Sequence, residues 1–158
     1  MNKSLINTFY RHFVLFVSTG CYAGYLPIVP GTFGSAVGVI IFFLLFFRLP
    51  TFYYIVNLLI LLMIGFFVAG KAEIIFEEKD SGKIVIDEII GYVVSMFLIP
   101  ATLKNIILAF LFFRILDTIK FFPANVVEDR VPGGYGVILD DVIAGIYANL
   151  IMQSIVLF

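Results

Sequence analysis

Histidine and cysteine each occur once in this 158-residue chain, as His12 and Cys21. The lone cysteine excludes a disulfide within the chain and a cysteine-based metal cluster. The lone histidine, beside Arg11 near the start, reads as an interfacial or solvated side chain. Charge is scarce as well. Only 13% of residues are charged, where soluble domains carry about 25%. With 62% hydrophobic residues and a mean hydropathy of +1.12, an integral membrane protein is expected. The net charge is −1, and no nucleic-acid partner is expected. Lys3, Arg11 and His12 precede an apolar stretch, but Gly20, Gly24, Pro27 and Pro30 interrupt it. No small-residue cleavage site follows, so a cleaved signal peptide is not expected. Internal repeats and low-complexity linkers are lacking too, and one domain over residues 1–158 is expected.

What is present is apolar sequence cut into spans. Residues 1–12 read as an amphipathic lead-in, and residues 13–29 as an interfacial or re-entrant piece too broken to cross a ~30 Å core. Spans are expected over 34–49, 52–70, 84–100, 105–122 and 137–158. The predicted fold class is therefore all-α: a bundle of about five apolar helices plus the N-terminal segment. Residues 71–83 form the most polar loop, read as a solvated face.

The charges inside the spans call for a reason, because ionisable groups in membrane segments are costly and mark functional sites. Arg114, Asp117 and Lys120 recur at three-residue steps, so on a helix they share one face, drifting about 60° per step. Asp87 and Glu88 stand in the first turn of the third span, where acids suit the helix dipole. Asp140 and Asp141 stand near the start of the fifth. Pro27, Pro30, Gly31 and Gly34 lead bent chain into the first span, where Thr32 or Ser35 can cap the helix and its free N–H groups can cradle a phosphate.

Loop charge sets the orientation. Lys3, Arg11, Lys71, Lys79, Lys83, Lys120 and Arg130 fall on one side, with Arg48 and Lys104 opposite. The larger group is placed in the cytoplasm. Thr32, Ser35, Asp87, Glu88, Asp117, Lys120, Asp140 and Asp141 then meet at one depth beneath the cytoplasmic surface. Five carboxylates there (Asp87, Glu88, Asp117, Asp140 and Asp141) repel unless protonated or bridged by a cation. Oxygen ligands without histidine or cysteine favour Mg2+, as one ion or two. Arg114, Lys120 and Arg130 supply positive charge for a phosphate, and the Gly133-Gly134-Tyr135-Gly136 turn can add backbone N–H groups. The reading is metal-assisted phosphoryl chemistry, with Asp87, Glu88, Asp117 and Asp141 as the catalytic set. No Arg follows Cys21 at the Cys-x5-Arg spacing, one histidine is too few for a phosphohistidine mechanism, and no Asp-x-Asp motif occurs. The adjacent acid pairs also lack the i+4 repeats of a CDP-alcohol phosphatidyltransferase.

Three blocks carry a family resemblance. They are Pro27-x-x-Pro30-Gly31-Thr32-x-Gly34-Ser35, then Ile84-Val85-Ile86-Asp87-Glu88-Ile89-Ile90-Gly91, then Phe113-Arg114-x-x-Asp117-x-x-Lys120-x-x-Pro123 with Gly133-Gly134-x-Gly136 and Asp140-Asp141-x-x-Ala144-Gly145. Together they resemble phosphatidylglycerophosphatase A, a bacterial membrane lipid phosphatase. The resemblance implies Mg2+-dependent hydrolysis of phosphatidylglycerophosphate to phosphatidylglycerol and phosphate, in the bacterial inner membrane, with the site at the cytoplasmic side. It departs at Lys120-Phe121-Phe122-Pro123, where the family often reads K-P-W-P, and at Ser81, where many relatives have proline. Glu128 fits the family pattern; Asp129 is extra.

Other classes remain open on the residues alone. Another metal-dependent lipid phosphatase or phosphotransferase would share the acid cluster. A small metal-ion transporter would continue its polar residues to the far side, which the first two spans do not. A structural subunit with internally paired charges would lose stability rather than activity on Asp141→Asn.

Overall fold

The longest helix forms over an almost uncharged apolar run of the chain. The computed structural model describes residues 3–157, and its helices in chain order are α1 (Lys3–Ser18), α2 (Pro30–Leu45), α3 (Thr51–Phe76), α4 (Ile86–Ser95), α5 (Leu103–Ile119), α6 (Ala124–Arg130) and α7 (Gly134–Leu157). A 3-10 turn, Ala23–Tyr25, joins α1 to α2. No strand occurs among the described residues, so the all-α class stands. Met1, Asn2 and Phe158, the outer ends of the expected lead-in and fifth span, lie outside the described residues.

The helices differ from the five expected spans. Two of them, α3 with 26 residues and α7 with 24, are long and apolar enough to cross a membrane. A third, α2, is apolar but has 16 residues, and α5 has 17. Over the expected third span, α4 stops after 10 residues, about 15 Å of helix. The reason is visible in its surroundings. Every residue of α4 except Glu88 is buried. A run that is apolar on all sides is at home inside protein as much as in lipid, and hydropathy does not separate the two. The N-terminal expectation also shifts. No proline or glycine interrupts residues 3–18, so α1 runs through the lead-in and into the piece drawn over 13–29. Only residues 19–29 are irregular.

Four neighbouring helices, α1, α2, α3 and α7, hold α4 in place. At its start, the Val85 N–H donates to the Ser18 carbonyl at the end of α1 (2.9 Å). Along its length it packs most extensively on α7 and then α2. At its end the carbonyls of a buried helix terminus need donors from the protein. The Tyr54 hydroxyl donates to the Val93 carbonyl (2.7 Å), and the Asn149 amide donates to Ser95 (3.0 Å) and Phe97 (2.7 Å). Ile89, Ile90 and Val94 join one apolar cluster with Val68 and Ile138, while Tyr92 and Val93 join another with Phe113 and Met152.

Contact between α4 and α7 depends on Gly91 and Gly145. A Cβ on Gly91 would meet the Phe113 ring and lie 2.8 Å from the Asp141 carbonyl oxygen, and one on Gly145 would run into the Gly91 carbonyl. Outward, α3 leaves Phe52, Leu59, Met63 and Phe67 exposed. Soluble monomers rarely expose apolar surface of this extent.

Because a backbone carbonyl cannot rotate out of the way, Gly91→Ala is expected to force α4 from α7 at the depth of Asp141. Overpacking of this kind costs about 1–3 kcal/mol. Thermal unfolding of the detergent-solubilised variant reads it as a drop in Tm of several degrees; an unchanged Tm would disprove the close crossing.

Candidate active site

Four helix ends bring the charged residues together. The starts of α2, α4 and α7 and the end of α5 border a cleft of about 220 Å3 lined by Asp80, Ser81, Gly82, Ile84, Asp87, Glu88, Asp117, Thr118, Lys120, Asp140 and Asp141. Asp87 and Glu88 sit in the first turn of α4, which the buried body of that helix carries inward. Asp141 reaches them because the two glycines let α7 close on α4. Arg114 and Asp117 share a face of α5, as the three-residue spacing predicts, and the Arg114 Nη1 donates to Asp117 Oδ2 at 2.7 Å.

Lys120 ends α5 in a left-handed conformation (φ 48), turning the chain while its side chain reaches forward. Its ammonium lies 2.7 Å from Glu128 Oε1 on α6 and 2.7 Å from Asp140 Oδ2 on α7. Burial alone would lower the Lys120 pKa, but the hydrogen bonds and charges of Asp140 and Glu128 outweigh it, and the group is held cationic well above its ordinary range.

Charge in the cleft does not balance. Six carboxylates line it, against Lys120 in its wall and Arg114 beside it. Asp87, Asp140 and Asp141 are 8%, 4% and 3% exposed. One oxygen from each of Asp87, Glu88 and Asp141 lies within 4.8 Å of the others. At that separation two carboxylates repel by roughly 3 kcal/mol at an effective dielectric of about 20. Arg114 Nη1 stands 4.0 Å from Glu88 Oε1, and no ion pair reaches Asp87 or Asp141 among the described residues. Four buried oxygens, Asp87 Oδ1, Glu88 Oε2, Asp140 Oδ1 and Asp141 Oδ2, have no hydrogen-bond partner. Buried polar atoms are ordinarily paired. A set of convergent, unpartnered carboxylate oxygens is the donor chemistry of a hard divalent cation.

Not every predicted residue enters this cleft. Asp87, Glu88, Asp117, Lys120, Asp140 and Asp141 line it, and Arg114 borders it. The Pro-Gly block approaches through Gly31, whose missing side chain leaves room for the Glu88 carboxylate and the Arg114 guanidinium. Neither Thr32 nor Ser35 lines it, and neither caps α2. Pro30 is the first helical residue, where its missing N–H costs nothing, so Val29 holds the cap position. Ser35 is buried and donates to the Gly31 carbonyl (2.9 Å). Arg130 is exposed and lines a separate groove with Glu73, Glu77 and Lys79.

Sequence reasoning missed Asp80, Ser81 and Thr118 in the lining, and Glu128 as the partner of Lys120. Asp80 and Ser81 belong to the loop read as a solvated face. Two local bonds fold that loop back: Asp80 N–H to Glu73 Oε1 (2.9 Å) and Ile84 N–H to the Ser81 carbonyl (2.8 Å). Thr118, one residue after Asp117, carried no signal of its own.

Comparison with known proteins points one way. The family described as Phosphatidylglycerophosphatase A matches residues 16–156. A Haemophilus influenzae protein named Phosphatidylglycerophosphatase A is 29% identical over 140 residues, covering 88% of this chain and 86% of that protein. The Escherichia coli K12 protein of the same name is 32% identical over 140 residues, covering 88% of this chain and 81% of that protein. A Bacteroides thetaiotaomicron protein, provisionally named a phosphatidylinositol-3-phosphatase, is 32% identical over 143 residues, covering 86% and 89%. No solved structure matches the chain.

Replacing Lys120 with Met strips the buried Asp140 of its cation. The expected loss is about 2 kcal/mol, the scale of a hydrogen bond to a charged group. Adding Asp140→Asn should recover most of it, because the unpaired charge is removed as well. Chemical denaturation of both variants in detergent checks this; a double variant no more stable than the single one would refute the pairing.

Proposed function

This chain belongs to the phosphatidylglycerophosphatase A family, and from that premise we propose that it hydrolyses phosphatidylglycerophosphate to phosphatidylglycerol and inorganic phosphate in phospholipid biosynthesis, with Mg2+ as cofactor. The observation that carries the metal part is the convergence of Asp87, Glu88 and Asp141, one oxygen of each within 4.8 Å of the others, in a cleft where each also has a buried oxygen without a partner. Asp87, Glu88 and Asp141 would hold the ion, with Asp140 and Asp117 completing the set. When bound, Mg2+ polarises a phosphoryl oxygen and lowers the pKa of a water.

The chain's own residues do the rest. A guanidinium has five N–H donors in a planar fork, and Asp117 occupies one edge of that of Arg114. Its other N–H groups would serve a phosphate oxygen, and the Asp117 contact steadies the plane. Lys120, held between Glu128 and Asp140, adds positive charge in the lining of the cleft. Water adds to phosphorus, the P–O bond to the glycerol breaks, and the leaving oxygen takes up a proton. Unpartnered carboxylate oxygens in the cleft can accept the proton the water gives up.

Placement in a membrane fits the substrate. The two long apolar helices and the exposed apolar flank of α3 support a multi-pass protein of the bacterial cytoplasmic membrane, and the weight of basic residues supports a cytoplasmic cleft. The Bacteroides relative supports a broader reading, in which other lipids bearing a phosphate monoester enter the same cleft.

Phosphate release from detergent-dispersed phosphatidylglycerophosphate should need Mg2+ and stop with EDTA. Asp87→Asn and Asp141→Asn should each lower the rate by more than about 100-fold, beyond the loss of an outer-sphere partner. Their Tm should stay within a few degrees of the parent chain. Full activity in Asp87→Asn, or release unaffected by EDTA, would remove the metal reading. Phosphatidylinositol 3-phosphate, run in parallel, measures the breadth of substrate.

A further inference from the structure

A phosphate entering a cleft of six carboxylates needs hydrogen-bond donors that those carboxylates have not taken. With the acids ionised, Ser81, Thr118 and Lys120 are the lining side chains that can donate. Thr118 Oγ1 already donates to the Arg114 carbonyl at 2.7 Å. Lys120 is held by Glu128 and Asp140. Ser81 differs from both. It is 1% exposed, and its Oγ has no hydrogen-bond partner.

An unpaired buried hydroxyl burdens the folded state. Nothing in the local fold requires it. The turn is fixed by backbone groups instead, through the Ser81 carbonyl to the Ile84 N–H and the Asp80 N–H to Glu73. An alanine would satisfy those bonds equally well. Ser81 is thus held in the lining of the cleft by a turn that makes no use of its hydroxyl.

We propose that the Ser81 hydroxyl donates a hydrogen bond to a non-bridging oxygen of the phosphate monoester bound in the cleft. The proposal rests on the phosphatase reading and deepens it by naming a substrate contact. A neutral donor suits this position. It offers a hydrogen bond to an anion, and unlike an ammonium it is not drawn into an ion pair with the surrounding acids. The role is binding of the phosphate, in the ground state and during reaction alike, so its loss falls mainly on KM.

Two measurements on full-length protein in detergent test this, with Ser81→Ala and the hydroxyl-retaining Ser81→Thr beside the parent chain. In the first, Tm is followed against inorganic phosphate at fixed Mg2+. The parent should be stabilised, Ser81→Ala should need about ten-fold more phosphate for the same rise, equal to ~1.4 kcal/mol, and Ser81→Thr should lie close to the parent. Without phosphate, Ser81→Ala should melt at or above the parent, since an unpaired hydroxyl is gone. In the second, KM for phosphatidylglycerophosphate should rise by a similar factor in Ser81→Ala, with kcat changed less than three-fold. Identical phosphate dependence in the parent and Ser81→Ala would overturn the proposal. So would a lower phosphate-free Tm in Ser81→Ala, which would reveal a structural partner for the hydroxyl. A parent chain that is stabilised by phosphate but releases none from the lipid would sink the phosphatase reading alone, leaving the Ser81 contact to be judged by the Tm series.

Discussion

Carboxylates crowded into a buried space with too few cations are the constraint on which this structure depends. Six of them line one cleft, with Lys120 in its wall and Arg114 at its edge. Both cations are already engaged, Arg114 with Asp117 and Lys120 with Glu128 and Asp140. The remaining negative charge of Asp87 and Asp141 has no ion-pair counterpart within the described residues, and Glu88 has only Arg114 at 4.0 Å. Folding does not gain from such an arrangement, because buried like charges repel and lose their water. Its presence in a chain of otherwise apolar helices is what singles the cleft out as the candidate active site.

The fold exists in large part to hold that place at depth. A short helix surrounded by protein carries two acids on its first turn, and its far end is anchored by Tyr54 and Asn149. Gly91 and Gly145 remove the side chains that would keep α7, and with it Asp141, at a distance. Gly31 does the same for α2 against Glu88 and Arg114. Three glycines thus set the approach of the elements that make the site. The contacts that pack α4 are therefore also those that position the carboxylates.

Much of the site was legible because charge is conspicuous in apolar sequence. Asp87, Glu88, Arg114, Asp117, Lys120, Asp140 and Asp141 each interrupt a hydrophobic run, and each one ends at or beside the cleft. Asp80, Ser81 and Glu128 were not legible, because a polar residue in a polar stretch carries no contrast. Thr32 and Ser35 misled for a different reason. A hydroxyl near a helix start suggests a cap, but proline at the first helical position moved the start earlier and left Ser35 bonded within its own helix. The count of about five spans is not confirmed, because hydropathy alone does not separate lipid from protein as the surroundings of a helix such as α4.

Composition and spacing by themselves determined that the chain is helical, that its exterior is apolar, and that most of the charges set in apolar sequence gather at one cleft. Those properties follow from local periodicity and from the cost of charge in an apolar run. Tertiary structure alone decided which oxygens are left without partners, that α4 is an interior helix, and that a turn in the polar loop closes one wall of the cleft. Pairing and burial depend on contacts between residues far apart in the chain, and no local pattern encodes them.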